Sequence, residues 1–296
     1  MGFASVEPEK KDFYTRCCDF FGFVEYPFHA SPSPRYLYFT DQYRIAYRRA
    51  VYSVDSGSGF AAIWGSMGLG KTSLAHYMWQ ILPEIRPNWD VFFIESAGAI
   101  SSFTDTYRRV IDVMGGNPYR NMTHNEQLLK NLLMERVEKG IRTVILVDEL
   151  QEAPVNVMKA FRVMSNMETP TSKMLQFIMF GSEEVFKKMD KVPAFRDRLV
   201  FATSLSPFDF QDTKNMIRFR LRLAGVEEPM FTDSQVEEIF LHSLGIPRYA
   251  VLICSNVLQV ALDKEERRIT DDTVRQAIDL YHQGVGVGRN ARKSRR

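Results

Sequence analysis

The chain has only three cysteines in 296 residues, Cys17, Cys18 and Cys254. They are too few and too poorly spaced for a disulfide framework or a zinc site, so a reducing, cytoplasmic setting is expected. Long apolar runs are also missing. No stretch approaches the ~18 residues a membrane-spanning helix needs, so no membrane role is expected, and the opening "MGFASVEPEKKDFY" lacks the apolar core of a secretory signal. Gly2 begins no myristoylation motif, because Val6 stands where Ser or Thr is required. Internal repeats are absent. Neither sign of charge is in excess, with 38 Lys and Arg against 36 Asp and Glu. That balance excludes little, since a basic patch can hide within it. What is present, 45% apolar and 25% charged residues, suits one large or two modest folded cores.

Four short β-branched or aromatic runs, "GFAAIWG", "DVFFIES", "RTVILVDEL" and "LQFIMFGS", are separated by longer stretches with helical spacing. The alternation predicts an α/β fold, a central parallel sheet flanked by helices. After Pro207 come four helix-like segments without a convincing strand, with cap residues in "SPFD", at Thr232-Asp233 and at Thr270-Asp271. The expected organisation is an N-terminal segment (1–50), an α/β domain (51–206), a small all-α domain (207–283) and a flexible basic tail (284–296).

Gly65-Ser66-Met67-Gly68-Leu69-Gly70-Lys71-Thr72 fits G-x-x-x-x-G-K-[ST] and lies between a predicted strand at 60–64 and a predicted helix from 71. Glycines let the backbone curl so that its N–H groups, through Ser73, face phosphate, and the helix N-terminus adds a favourable dipole. Lys71 is suited to neutralising the β/γ oxygens and Thr72 to ligating Mg²⁺. "TVILVDELQ" then presents Asp148 and Glu149 at the C-terminal edge of a buried strand. Asp148 would hold Mg²⁺ through water, and Glu149 would polarise the attacking water as general base. An acidic pair can also simply cap the next helix; its position downstream of a phosphate loop favours chemistry. ATP and Mg²⁺ are the expected cofactors, and ATP hydrolysis to ADP and phosphate the expected reaction.

The flanks sharpen this. "FFGFVEYPFHASPSPRYLYFTDQYRIAYRR" resembles the N-terminal signature of the ExeA/GspA-like branch of AAA+ ATPases, with Arg44-Ile45-Ala46 at its variable point. "PAFRDRLVFATSLSPFDFQDTKNMIRFRLRLAG" resembles that branch's arginine-bearing stretch and the start of its helical lid, and Gly245-Ile246-Pro247-Arg248 its sensor-2 motif. The resemblance spans residues 13 to 282. It implies an AAA+ P-loop fold with an all-α lid, Arg248 approaching the γ-phosphate in cis, and Arg198 as an arginine finger offered to a neighbouring subunit, with Arg196 as runner-up. Ser182 takes the sensor-1 position, where the family more often has an amide side chain, and its shorter reach implies slow hydrolysis. Pro27, Phe28, Pro34, Tyr36 and Tyr38 would form a lip over the adenine, so that the N-terminal segment packs on the nucleotide site; core packing is an equal alternative for each. A site completed in trans implies a homo-oligomer, as a ring or helical filament.

Secretion-type members of the branch continue into a membrane span and a peptidoglycan-binding domain, and this sequence stops at Arg296 without either. The chain is therefore expected to be most similar to the transposition regulator ATPases of the TnsC, TniB and MuB type, including those of CRISPR-associated transposons, which oligomerise on target double-stranded DNA and recruit or activate a transposase. Ser101, Ser102, Thr104, Arg108, Arg109 and Arg120 form a hydroxyl and basic group suited to phosphate oxygens, giving nonspecific, salt-dependent binding. A solvated helix face is the alternative for the arginines. The tail, Arg289 to Arg296, suits DNA equally with docking to a transposase or target-selection adaptor. A secretion-type ATPase and a nucleotide-switched signalling or defence ATPase not acting on DNA remain the alternatives.

Overall fold

The computed structural model describes residues 12–57, 59–170 and 173–284; the tail cations Arg289 to Arg296 lie outside the described residues. The chain divides into two units, one of residues 32–206 and the other of residues up to 31 together with those from 207 onward. Residues 32–50 thus belong with the sheet, whereas residues 12–31 belong with the C-terminal helices. A single N-terminal segment ending at residue 50 does not describe this division.

The larger unit is built on a parallel sheet. β1 (Phe60–Trp64), β2 (Trp89–Ile94), β3 (Arg142–Val147), β4 (Leu175–Gly181) and β5 (Leu199–Ser204) lie in the order β2-β3-β4-β1-β5. Register is set by pairs such as Ile145 with Phe177 and Ala62 with Met179. β4 is buried along its whole length and β3 everywhere except Arg142, as interior strands covered on both faces must be. Their Val144, Ile145, Leu146, Phe177, Ile178 and Phe180 are almost fully buried, each contributing roughly 1.5–3 kcal/mol by leaving water. β5 is not among the four runs legible in the sequence. It lies at one edge of the sheet, and of its residues only Thr203 is buried.

Helices cover the sheet: α2 (Asp41–Asp55), α3 (Lys71–Ile85), α4 (Phe103–Val113), α5 (Met122–Glu138) and α6 (Val155–Met164), with α7 (Glu184–Met189) and α8 (Pro193–Arg196) short pieces before β5. α1 (Phe13–Phe21) belongs to the second unit. There it joins α9 (Phe210–Leu223), α10 (Asp233–Ser243), α11 (Pro247–Asp263) and α12 (Asp271–Gly284). Three of the four C-terminal helices, α9, α10 and α12, begin where their cap residues predict. Asp209 accepts from the Asp212 N–H at 2.7 Å, Thr232 and Gln235 form a reciprocal capping box, and Thr270 accepts from the Thr273 N–H at 3.2 Å.

The early segment is tied into this unit across a long stretch of chain. Tyr26 and Ser255 share a hydroxyl–hydroxyl bond of 2.7 Å, the Val24 N–H donates to Ala224 O at 3.0 Å, and Arg220 donates to His29 O at 3.2 Å. Gly245 has a left-handed backbone, φ 69, and a Cβ there would lie 2.1 Å from Phe208 O, so the turn ahead of α11 admits only glycine.

Candidate nucleotide-binding site

The phosphate-loop sequence begins where three strands end. The Leu205 N–H, just past β5, donates to Trp64 O at 2.7 Å, and the Gly65 N–H donates to Gly181 O at 3.2 Å. A Cβ on Gly65 would come within 2.6 Å of Leu205 O, so the first glycine is required by close approach of the next strand. Gly70, with φ 77, caps α3, and its missing Cβ leaves room for the Tyr43 hydroxyl, which would otherwise sit 2.5 Å away. That hydroxyl donates to Leu69 O at 2.6 Å. Tyr43 therefore braces the loop from α2 and turns one of its carbonyls away from the N–H groups of the first helical turn, which have no helical acceptor. Leu69 is buried beneath the loop, while Ser66 and Met67 are exposed at its crest.

Lys71 opens α3 and is only 7% exposed. Its Nζ donates to Gly65 O and Ser66 O, each at 2.9 Å, folding the side chain back along the loop. Burial pulls its pKa below the usual lysine range, opposed by the charges of Glu149 and Asp148. Those charges identify Lys71, Asp148 and Glu149 as near neighbours, with Thr72 and Ser73 next along α3.

Asp148 directly follows β3 and is 1% exposed. Its Oδ1 accepts the Glu149 N–H at 2.8 Å, while Oδ2 is buried with no hydrogen-bond partner. Burial pushes the carboxyl's pKa up; the nearby Thr72 hydroxyl, the Glu149 N–H and Lys71 act against that push. A buried carboxylate oxygen without a partner, beside a threonine hydroxyl at the start of a phosphate loop, fits one face of a Mg²⁺ site. Among the described residues no group of three or more His, Cys, Asp or Glu could hold a metal. If an ion binds here, Thr72 and Asp148 would hold it from the protein side.

Glu149 has φ 52 and ψ 41, an uncommon backbone for a residue with a side chain. Its Oε2 accepts from the Gln151 side-chain amide, and the same amide's oxygen accepts the Ser182 N–H at 2.9 Å. Ser182 stands directly after β4, so the position named from sequence is joined to Glu149 through a residue to which sequence assigned no role. Gln151 was visible in "TVILVDELQ", but its partner lies 31 residues away, just past the end of β4. Tyr43 went unassigned for a similar reason, its acceptor being 26 residues distant.

Of the remaining predicted residues, some lie in the sheet unit and some in the helical unit. Tyr36 ends a short 3₁₀ turn, Pro34–Tyr36, in the sheet unit, and is buried. Phe28 is buried in the helical unit, edge-on to Phe231 at 6.4 Å between ring centres. Arg248 is exposed in the first turn of α11, in that same unit. Arg196 is engaged by Asp190 at 2.7 Å, whereas Arg198 is half-buried and helps to lower the pKa of Glu168, whose main partner is Lys173. Ser102 caps α4 by accepting the Asp105 N–H at 3.1 Å, and Ser101 bonds the Asp105 carboxylate through both its N–H and its hydroxyl. Thr104 is half-buried in the first turn. Arg108 and Arg109 are exposed and lie 4.0 and 3.1 Å from Asp105 and Asp112, and Arg120 is exposed between α4 and α5.

A family model for an AAA domain matches residues 54–189. General secretion pathway protein A of Aeromonas hydrophila is 30% identical over 258 residues, covering 84% of this chain and 46% of that protein. The chain thus spans about half the length of that relative. Among solved structures, Drosophila ORC bound to DNA superposes with a TM-score of 0.65 at 17% identity, over 94% of this chain and 69% of that one. The ORC2 protein of Aeropyrum pernix, solved as ADPNP–ADP complexes, gives 0.62 at 17% identity, over 81% and 67%. At such identities these two likenesses concern the fold. Among the described residues, no helix is long and apolar enough to cross a membrane.

Proposed function

We propose, for a chain that carries an AAA domain at residues 54–189 in an AAA+ fold, that ATP hydrolysis governs its assembly with further copies of itself on duplex DNA, in the service of DNA transposition. AAA+ domains take ATP with Mg²⁺. The observation that carries the ATPase reading is the meeting of buried Lys71, the partnerless Asp148 Oδ2 and the Glu149 carboxylate at the mouth of one loop.

Each residue has a part. The N–H groups of the loop, from Gly65 to Ser73, take phosphate oxygens, and Lys71 exchanges its two carbonyl contacts for β/γ oxygens. Thr72 and Asp148 hold Mg²⁺, which when bound offsets charge on the phosphates. Glu149 accepts the proton of the attacking water. Arg198 meets the transferring phosphoryl group from an adjacent copy and Arg248 from its own chain, each spreading charge over a planar guanidinium.

Support for DNA comes from the exposed Arg108, Arg109 and Arg120. The acidic i,i+3 partners of Arg108 and Arg109 are the half-buried Asp105 and the exposed Asp112; surface pairs of this kind are worth ~0–1 kcal/mol, so backbone phosphate can displace them. The likeness to an ORC structure described as bound to DNA lends the fold as a precedent. A second reading, an ATPase of a secretion system, is favoured by the 30% identity to General secretion pathway protein A.

Electron microscopy and sedimentation of the purified chain with ATP, Mg²⁺ and duplex DNA separate the two. Assemblies that need both ATP and DNA and dissolve as salt rises are expected, with Lys71→Ala abolishing them and Glu149→Gln prolonging them. A chain that stays monomeric with nucleotide and duplex at low salt overturns the DNA reading and leaves the secretion and signalling readings.

A further inference from the structure

We infer that Gln151 is a positioning residue that aims the Glu149 carboxylate and couples it to the end of β4. The inference rests on the reading of Glu149 as the base that activates water. A glutamate has three rotatable bonds, and the left-handed backbone at Glu149 turns the chain sharply as it leaves β3. Without an anchor, its carboxylate would sample several directions, only some of them facing the loop.

The Gln151 amide is such an anchor, and its orientation is determined from both ends. Its oxygen accepts the Ser182 N–H at 2.9 Å, and its nitrogen donates to Glu149 Oε2. Turned over, the amide would set NH₂ against an N–H and oxygen against a carboxylate, two repulsive pairs in place of two bonds. The turn that carries it is pinned as well, because Lys188 Nζ donates to Gln151 O and, at 3.1 Å, to Ala153 O. Gly181 completes the fit: a Cβ there would lie 3.0 Å from the Gln151 amide oxygen. The Gln151 side chain is 8% exposed, so water competes little for these bonds.

A bond to Oε2 alone leaves Oε1 able to accept from a water. It also makes the direction of the base depend on where the Ser182 amide stands. Ser182 therefore acts on hydrolysis through its backbone N–H and Gln151, a route that does not need the long amide side chain usual at its position.

The experiment measures single-turnover ATP hydrolysis and the affinity for a fluorescent ATP analogue in the full chain, for Gln151→Met, Gln151→Glu, Glu149→Gln and each Gln151 variant combined with Glu149→Gln. General bases contribute ~10²–10⁴-fold, and misdirecting one is expected to forfeit about tenfold of that. Gln151→Met and Gln151→Glu should each slow hydrolysis about tenfold with nucleotide affinity within about twofold, and neither should slow it further once Glu149→Gln is present. Equal slowing in both backgrounds, or a parallel loss of affinity, assigns Gln151 a merely structural part and overturns the inference. So does an unchanged rate in Gln151→Glu, which also carries the test should Gln151→Met not fold. A Glu149→Gln variant at the parent rate overturns the reading of Glu149 itself, an outcome distinct from the others.

Discussion

Asp148 is held under two opposed demands. Metal binding requires it ionised, whereas burial favours its protonated form and lifts its pKa above the ordinary aspartate value of 3.8, with the Thr72 hydroxyl, the Glu149 N–H and Lys71 offsetting this only in part. For an acid whose folded pKa is raised, the folded state binds the proton more tightly than the unfolded chain. The cost of ionisation is then absent below pH 3.8, grows as pH rises towards the folded pKa and is complete above it. Asp148→Asn removes that cost. In metal-free protein at pH 7 it is expected to raise the thermal midpoint by about 2–4 °C for each kcal/mol relieved, with the gain fading near pH 4 and hydrolysis lost throughout. Thermal melts at the two pH values check this, and a variant that melts below the parent at pH 7 contradicts it.

Elements differ in how plainly the sequence announces them. β1 to β4 are apolar runs because each is largely buried, and α9, α10 and α12 are preceded by side chains that cap them. β5 escapes because it buries only Thr203, whereas β2 at the opposite edge buries four of its six residues. The loop and the Asp148–Glu149 pair are contiguous in sequence and so could be read from it, whereas Gln151 and Tyr43 act on residues that only the folded chain brings near. Placement of residues 12–31 with the helical unit was hidden for the same reason, since nothing local marks Tyr26 as a partner of Ser255. At this scale the capping box of α10 offers a measurable increment. Thr232→Ala removes the acceptor for the Gln235 N–H, and urea unfolding is expected to show a loss of ~1 kcal/mol. A loss below ~0.3 kcal/mol would mean that the bonds from Gln235 to Ile269 O and Asp271 carry the junction instead.

For the whole molecule, the loop residues 65–73 all lie in the sheet unit. ATP with Mg²⁺ at a hundredfold excess over its Kd is expected to stabilise the protein by ~2.7 kcal/mol, and differential scanning calorimetry reads this as an upward shift. Lys71→Ala should abolish the shift and Thr232→Ala, in the other unit, should leave it intact. Loss of the shift in Thr232→Ala would show that the helical unit contributes to nucleotide affinity.

The helical unit is assembled from the two ends of the described chain, and this bears on the order in which the protein acquires its structure during synthesis. Tyr26 leaves the ribosome 229 residues before its partner Ser255, a delay on the order of 10–50 s at typical elongation rates. Throughout that interval Cys17, Tyr26 and Phe28, all buried in the finished molecule, are translated but still without their final neighbours. The sheet unit, whose sequence is complete first, can mature while they wait. Translation speed and early chaperone contact therefore govern the yield of this unit more than that of its sheet-bearing companion.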